Sequence, residues 1–482
     1  MRTLPLLSLT LLLGACTVGP NYAGPPRTLS AAPGAAGFKR GGESASAAAP
    51  GVAAWWTQLN DATLTDLETR ALAANPNIAV AQARLRQARA SLRLERANQA
   101  PNANASATYL HARVPGIDFG TTTGDAQAGG DGGASAVDVY NLGFDASWEV
   151  DLFGGRRRSV QAARAQAEAA EANVADAQVS LTAEVAQAYV NLRDRQRRIA
   201  LAQQSARMQQ QMLALTRQRF DRGAASALDV ERLSGQVEAT NGQIVPLQSE
   251  LESYLNALAT LIGEEPGALD AMLGTAAPVP LPPARVAVGD PAALLQRRPD
   301  IRAAERQLAQ RTAQVGVADA ARFPRLNILG LIGLGGTQLS DISPDKLVGV
   351  AAPMLQWNFL DFGRNRARIN QAEGQRDEAE AQYRATVLAA LQDAENALSR
   401  FGHRRETVAS LMRSKASADR AATLMQQRFQ AGTATLIDTL DAERSRVAAD
   451  QNLSSGVAGL TGDFVALQKA LGLGWSEAAP QS

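Results

Sequence analysis

The residues able to do chemistry in this chain are few and scattered. Its 482 residues hold two histidines, His111 and His403, and one cysteine, Cys16. One histidine falls in a short alternating run and the other in a long helical stretch, and neither has a partner at metal-ligand spacing. The run Gly330-Leu331-Ile332-Gly333-Leu334-Gly335-Gly336 is rich enough in glycine for a phosphate loop, but it follows a strand pattern and opens no helix. No nucleophile elbow occurs. The spacing therefore points away from an enzyme, a metal site or a bound cofactor.

Two carboxylates recur in fixed company. Arg219-Phe220-Asp221-Arg222-Gly223-Ala224-Ala225-Ser226-Ala227-Leu228-Asp229 returns 209 positions later as Arg428-Phe429-Gln430-Ala431-Gly432-Thr433-Ala434-Thr435-Leu436-Ile437-Asp438. Gly223 and Gly432 suit the left-handed position just past a helix end. Ser226 and Thr435, each with an aspartate three residues on, read as capping boxes that open a new helix. Each motif is then a helical turn-back, and the chain contains a duplicated unit.

The elements that carry these turns are long. Residues 156–222 are sixty-seven positions without glycine or proline, and residues 364–431 are free of proline with only two glycines. One helix of that length spans roughly 100 Å, too long for a globular core to bury. Val160, Ala163, Ala167, Ala170, Val174, Ala177 and Leu181 step by threes and fours, the seam of a coiled coil. Val387, Leu391, Ala394, Leu398 and Phe401 do the same in the second stretch. Shorter helices over residues 73–99 and 224–262, end to end, match one rod, and the second copy repeats the arrangement.

Between the first short helix and the rod, residues 139–150 alternate strictly. Tyr140, Leu142, Phe144, Ala146, Trp148 and Val150 face one side and Asn141, Gly143, Asp145, Ser147 and Glu149 the other. Residues 348–359 are the partner, with Leu355, Trp357 and Phe359 on one face, and weaker strands cover residues 102–113 and 325–334. Gly-rich tips at 116–133 and 335–343 separate the strands of each pair. A membrane barrel presents lipid and lumen this way, and a soluble two-sheet sandwich with a half-buried face fits these strands as well. In lipid, four strands cannot close, so other subunits must pair their edges.

Other features bound the setting. Arg2 precedes an apolar run at residues 4–13 that is too short to span a bilayer and has the shape of a secretory signal. Leu13-Gly14-Ala15-Cys16 looks like a lipoprotein processing site, which makes Cys16 the acylated first residue carrying an N-acyl diacylglycerol lipid. Forty-eight basic and forty-seven acidic residues leave a formal charge of +1, so no global field attracts nucleic acid. The expected organisation is a signal peptide at 1–15, an anchored tether at 16–54, a first repeat at 55–263, a linker at 264–291, a second repeat at 292–472 and a tail at 473–482.

The chain resembles the TolC-type outer membrane factors, in particular the lipoprotein subgroup serving resistance-nodulation-division (RND) efflux pumps. The resemblance rests on Cys16-Thr17-Val18-Gly19-Pro20-Asn21-Tyr22, Ala54-Trp55-Trp56, Ala74-Asn75-Pro76, Trp148-Glu149-Val150-Asp151-Leu152-Phe153-Gly154 and both Arg-Phe-x-x-Gly turns. It implies a mainly helical α+β subunit of a homotrimer, with an α-barrel of long helices continuous with a twelve-stranded transmembrane β-barrel, four strands from each subunit. It also implies an outer-membrane location, a periplasmic adaptor docking at the helical tips (Arg219, Gly223, Ser226, Asp229, Arg428, Gly432, Thr435), an inner-membrane pump, and no enzymatic activity. Tyr140, Leu142, Phe144, Trp148, Leu355, Trp357 and Phe359 would face the membrane.

Carried over position by position, the resemblance makes Ile437, Asp438, Asp441 and Arg444 a periplasmic gate. The first repeat departs from it with Arg232 where the second has Asp441. Under a threefold axis each aspartate becomes a ring of three carboxylates. Like charges ~4 Å apart cost up to about 4 kcal/mol per pair at an effective dielectric of 20, so cations or protons are expected there. Capping alone also explains Asp438, and an Asp441/Arg444 pair at this spacing is also what a solvated helix surface carries. A lipid-anchored periplasmic coiled-coil adaptor is the rival reading, and it leaves the alternating strands unexplained.

Overall fold

A helix forms wherever good helix formers run on without a breaker, and a strand needs a partner as well as a pattern. The computed structural model describes residues 17–26, 37–42, 45–46, 48–114, 135–291 and 297–476. Cys16, the signal at 1–15, the tip at 116–133 and residues 477–482 lie outside the described residues. The order begins with β1 (Ala45–Ser46), a 3₁₀ turn at Trp55–Leu59, α1 (Ala62–Ala74), α2 (Pro76–Ala97), β2 (Asn102–Val114) and β3 (Ser135–Val150). Next come α3 (Gly155–Asp221), α4 (Ala227–Leu261), the short α5 (Asp270–Leu273), β4 (Val286–Ala287) and α6 (Pro299–Ala320). The chain ends with β5 (Arg325–Gly336), β6 (Leu347–Gln356), α7 (Arg364–Gln430) and α8 (Leu436–Ala470). Both rods are single helices of 67 residues, and the helices after the turns are both 35 residues long. Among the described residues no helix is long and apolar enough to cross a membrane.

The chain divides into two compact units. One comprises the described residues of 1–25 with Arg86–Glu168 and Arg306–Ala381. It contains a four-stranded antiparallel sheet in the order β2-β3-β5-β6. Asn102 pairs with Ser147, Val150 with Leu326 and Arg325 with Gln356, so the helices adjoin one end of the sheet. The glycine-rich run of β5 has a steric cause. A Cβ at Gly333 would lie 3.0 Å from both the Gly143 Cα and the Leu142 carbonyl oxygen of β3, so any side chain there would press on the backbone of the neighbouring strand.

The last strand is shorter than its pattern suggests. It ends at Gln356, and Trp357 and Phe359, expected on it, lie beyond the ladder. Gln356 is paired with Arg325, the first residue of β5, and Pro324 before it has no N–H to offer. Trp357 turns its indole to the Arg322 carbonyl at 3.0 Å, as Trp148 does to Gln99 at 3.0 Å.

Residues 17–22, part of the expected tether, lie against the same unit. Arg158, buried to 2% exposure, donates from Nε to the Val18 carbonyl (3.1 Å) and from Nη2 to the Gly19 carbonyl (2.9 Å). The Val18 amide in turn donates to the Phe153 carbonyl.

The other unit comprises the described residues of Pro26–Leu85, Ala169–Glu305 and Gln382–Ser482. Its core gathers Trp55, Leu64, Leu67, Tyr189, Leu192, Phe401 and Phe464. Burying each such side chain contributes about 1.5–3 kcal/mol, and together they tie α1, α3, α7 and α8. Val387, Ala394, Leu398 and Phe401 of the expected seam are all in this core. Segments expected as tether and linker join it: β1 pairs in parallel with β4, and the Lys39 and Arg40 amides donate to the Glu395 carboxylate at 2.8 and 2.9 Å. Glu68 is the exception to its apolar company. It is fully buried on the Leu64–Ala71 face of α1, neither carboxyl oxygen has a partner among the described residues, and burial pushes its carboxyl well above the usual range.

Candidate functional site

The two turn-backs are built alike from their sequences. Gly223 and Gly432 have φ of 72° and 75°, the left-handed backbone that lacks strain only without a Cβ. The Ala224 amide reaches back to the Arg219 carbonyl (2.7 Å) and the Gly223 amide to Phe220 (2.9 Å), a Schellman closure. Thr433 to Arg428 (2.9 Å) and Gly432 to Phe429 (3.0 Å) repeat it.

The next helices open on complete capping boxes. The Ser226 hydroxyl accepts from the Asp229 amide (3.2 Å), and the Asp229 carboxylate accepts from the Ser226 amide (3.2 Å) and hydroxyl (2.7 Å). Thr435 and Asp438 do the same at 3.2, 3.1 and 2.6 Å. Hydroxyl and then amide donation holds both carboxyls below the usual range. Asp438 is thus engaged in capping through Oδ2.

Packing then brings the two turns together. The Arg219 guanidinium lies over the Phe429 ring, 5.3 Å from its centroid, joining the arginine of one motif to the aromatic of the other. Leu213, Leu233 and Val237 form a small core here with Leu436 and Leu440, separate from the main one. Beside it lies a groove of about 300 Å³ lined by Met208, Met212, Arg232, Ile437, Leu440, Asp441 and Arg444, among others. Arg232 and Asp441, the matched positions that differ between the repeats, border this one groove. Arg444 Nη2 and Asp441 Oδ1 are 3.0 Å apart, with both side chains more than half exposed. Within one chain this is a solvated pair worth about 0–1 kcal/mol. Three of the four expected gate residues, Ile437, Asp441 and Arg444, therefore share one surface.

Of the expected membrane-facing residues, Leu142, Phe144, Trp148 and Leu355 lie exposed on their strands, Phe144 at 63% and Leu355 at 69%. Tyr140 is half-buried, its ring 5.0 Å from that of Tyr109 on β2. The histidines have carboxylate neighbours, Asp138 at 2.8 Å from His111 and Glu406 at 3.7 Å from His403. No group of three metal-binding side chains occurs among the described residues. Sequence reasoning missed the Arg219–Phe429 contact and the docking of Arg158 on residues 18 and 19. The repeated Arg-Phe pair was the available signal for the first, while backbone acceptors left none for the second.

Sheet edges with no partner among the described residues, an apolar strand face and paired long helices define a class, and comparison with known proteins agrees. Residues 67–264 and 291–473 match the outer membrane efflux protein family, and the chain belongs to it. Among its relatives are outer membrane protein OprJ of Pseudomonas aeruginosa, 32% identical over 98% of this chain and 95% of that one. The pyoverdine export outer membrane protein OpmQ of the same species is 33% identical over 98% and 97%. The solved outer-membrane channel OprN matches with a TM-score of 0.86 at 35% identity, over 95% of this chain and 100% of that one. The protein is an outer-membrane efflux channel, and the adaptor reading is set aside.

Proposed function

We propose that three copies of this chain close their sheets into one twelve-stranded barrel, continued by the long helices as a periplasmic tunnel, and that this trimer is the passive exit duct of a tripartite pump. The observation that carries the proposal is the sheet itself. Its outer strands β2 and β6 have no further partner among the described residues, while Leu142, Phe144 and Leu355 are exposed. In a bilayer each unpaired backbone group costs several kcal/mol, so such a sheet needs neighbours. The matching lengths of α3 and α7, and of α4 and α8, support two internal repeats in each subunit.

In this reading Tyr140, Leu142, Phe144, Trp148 and Leu355 face lipid, with Trp357 and Phe359 just below the ladder. Cys16 carries the acyl anchor, and residues 17–22 fix where that anchor enters. The turns around Arg219, Gly223, Ser226, Asp229, Arg428, Gly432 and Thr435 receive a periplasmic adaptor bound to an RND-type inner-membrane pump. Ile437, Asp441 and Arg444 narrow the tunnel mouth, with Asp438 holding the helix start that carries them. Small molecules then leave the cell through the bore. Native mass spectrometry of the detergent-purified protein, followed by planar-bilayer recording, tests this. Three subunits forming discrete ion-conducting pores are expected, and a monomer that leaves bilayers insulating would refute the proposal.

A further inference from the structure

We propose that the helix-side end of the sheet carries an arginine belt that binds the anionic headgroups of glycerophospholipids in the adjoining leaflet; this rests on the membrane-channel reading above. Strand register sets the start of β2, the end of β3, the start of β5 and the end of β6 at this one end. The segments joining it to the helices, residues 93–101, 149–158, 319–325 and 361–368, hold ten arginines against five carboxylates. At the opposite end, the described residues 111–114, 135–138 and 336–347 hold one arginine and one lysine against three aspartates. Among the described residues the basic excess thus lies at the helix-side end of the strands.

Internal pairing accounts for only part of the basic end. Arg156 pairs with Glu149, Arg157 with Asp151 and Arg322 with Asp319. Arg93, Arg96, Arg325 and Arg366 are exposed and make no ion pair among the described residues. The apolar residues next to them say what lies outside. Phe359, Leu360 and Phe362, just before the Arg364 start of α7, are 75%, 67% and 83% exposed. The Trp148 and Trp357 indoles sit at the same end, each donating to a backbone carbonyl, as residues with one apolar and one wet side do at a membrane interface.

Exposed apolar side chains, indoles and guanidinium groups without an ion-pair partner among the described residues thus meet at one end of the sheet, the mixture for which a boundary between acyl chains and headgroups supplies partners. Guanidinium offers phosphate a forked, paired donor set, and a headgroup that adds no ammonium cation leaves that attraction unopposed, so an anionic phospholipid fits the belt better than a zwitterionic one.

The test uses the full-length protein in phosphatidylcholine nanodiscs containing spin-labelled phosphatidylglycerol or spin-labelled phosphatidylcholine. The motionally restricted fraction is read by electron paramagnetic resonance. Wild type is expected to prefer phosphatidylglycerol, less so at high salt. In R325Q/R366Q the preference should fall by about fivefold for each arginine removed, the factor that about 1 kcal/mol of headgroup attraction represents. R325K/R366K should keep most of it, and D341N/D345N all of it. An undiminished preference in R325Q/R366Q would overturn the belt, as would a stronger preference of wild type for spin-labelled lipid A that the same substitutions abolish. If no lipid of any headgroup is restricted, the membrane reading itself fails.

Discussion

Glu68 offers the sharpest quantitative test of the core. Buried without a partner, its carboxyl stays protonated in the folded chain well above the pH at which an exposed glutamate ionises. The unfolded chain releases that proton above about pH 4.3, so over this range the native state binds one proton more. Stability should therefore fall as pH rises, by about 1.4 kcal/mol per unit until the native carboxyl itself titrates. Glu68→Gln keeps the shape and polarity of the protonated acid and cannot ionise, so it should remove this slope. Asp176, whose carboxyl burial and then Asp300 push upward, contributes with the same sign in both proteins and cancels in the comparison. Guanidinium unfolding of the detergent-solubilised protein at several pH values, followed by the fluorescence of Trp55 and Trp56 in the same core, measures the difference. Parallel pH profiles for wild type and Glu68→Gln would refute the reasoning.

Three further outcomes follow from the geometry. Asp441→Ala removes one carboxylate per subunit from the proposed mouth and should raise single-channel conductance; an unchanged closed-state conductance would remove Asp441 from the gate. Gly333→Val pushes a side chain into the Gly143 Cα and should prevent β3–β5 pairing, seen as loss of strand signal and of outer-membrane assembly. Normal assembly would mean that the close approach is not required. Arg158→Met removes two hydrogen bonds from a buried cation to the Val18 and Gly19 carbonyls, worth about 1.5–3 kcal/mol each, so the Val18 amide should lose its hydrogen-exchange protection. Retained protection would place the hold on residues 17–22 elsewhere.

What could be read from the sequence is what local rules decide. Residues 156–222 and 364–431 announce the rods because breaker-free helix formers act position by position, and both ends agree with the structure to within one residue. Gly223, Ser226 and Asp229 announce a turn because each bond involved spans five residues or fewer. The end of β6 was hidden because it depends on Pro324 in another strand's approach. Residues 37–50 read as tether by composition, yet Lys39 and Arg40 dock through backbone amides, which composition does not encode. Arg232 and Asp441 were legible as a mismatch between repeats, but not as neighbours on one groove. Glu68 could have been found, since an acid on the Leu64–Leu67–Ala71 face breaks an otherwise apolar stripe.

The central claim is that the sheet finds its missing partners in other copies of the chain. Amide hydrogen exchange across β2 and β6 of the assembled, detergent-purified protein tests it most directly. Closure predicts that the outward amides of both edge strands are protected as well as those of β3 and β5. Fast exchange at every second amide of β2 and β6, with β3 and β5 protected, would mean an open four-stranded sheet and would contradict the account.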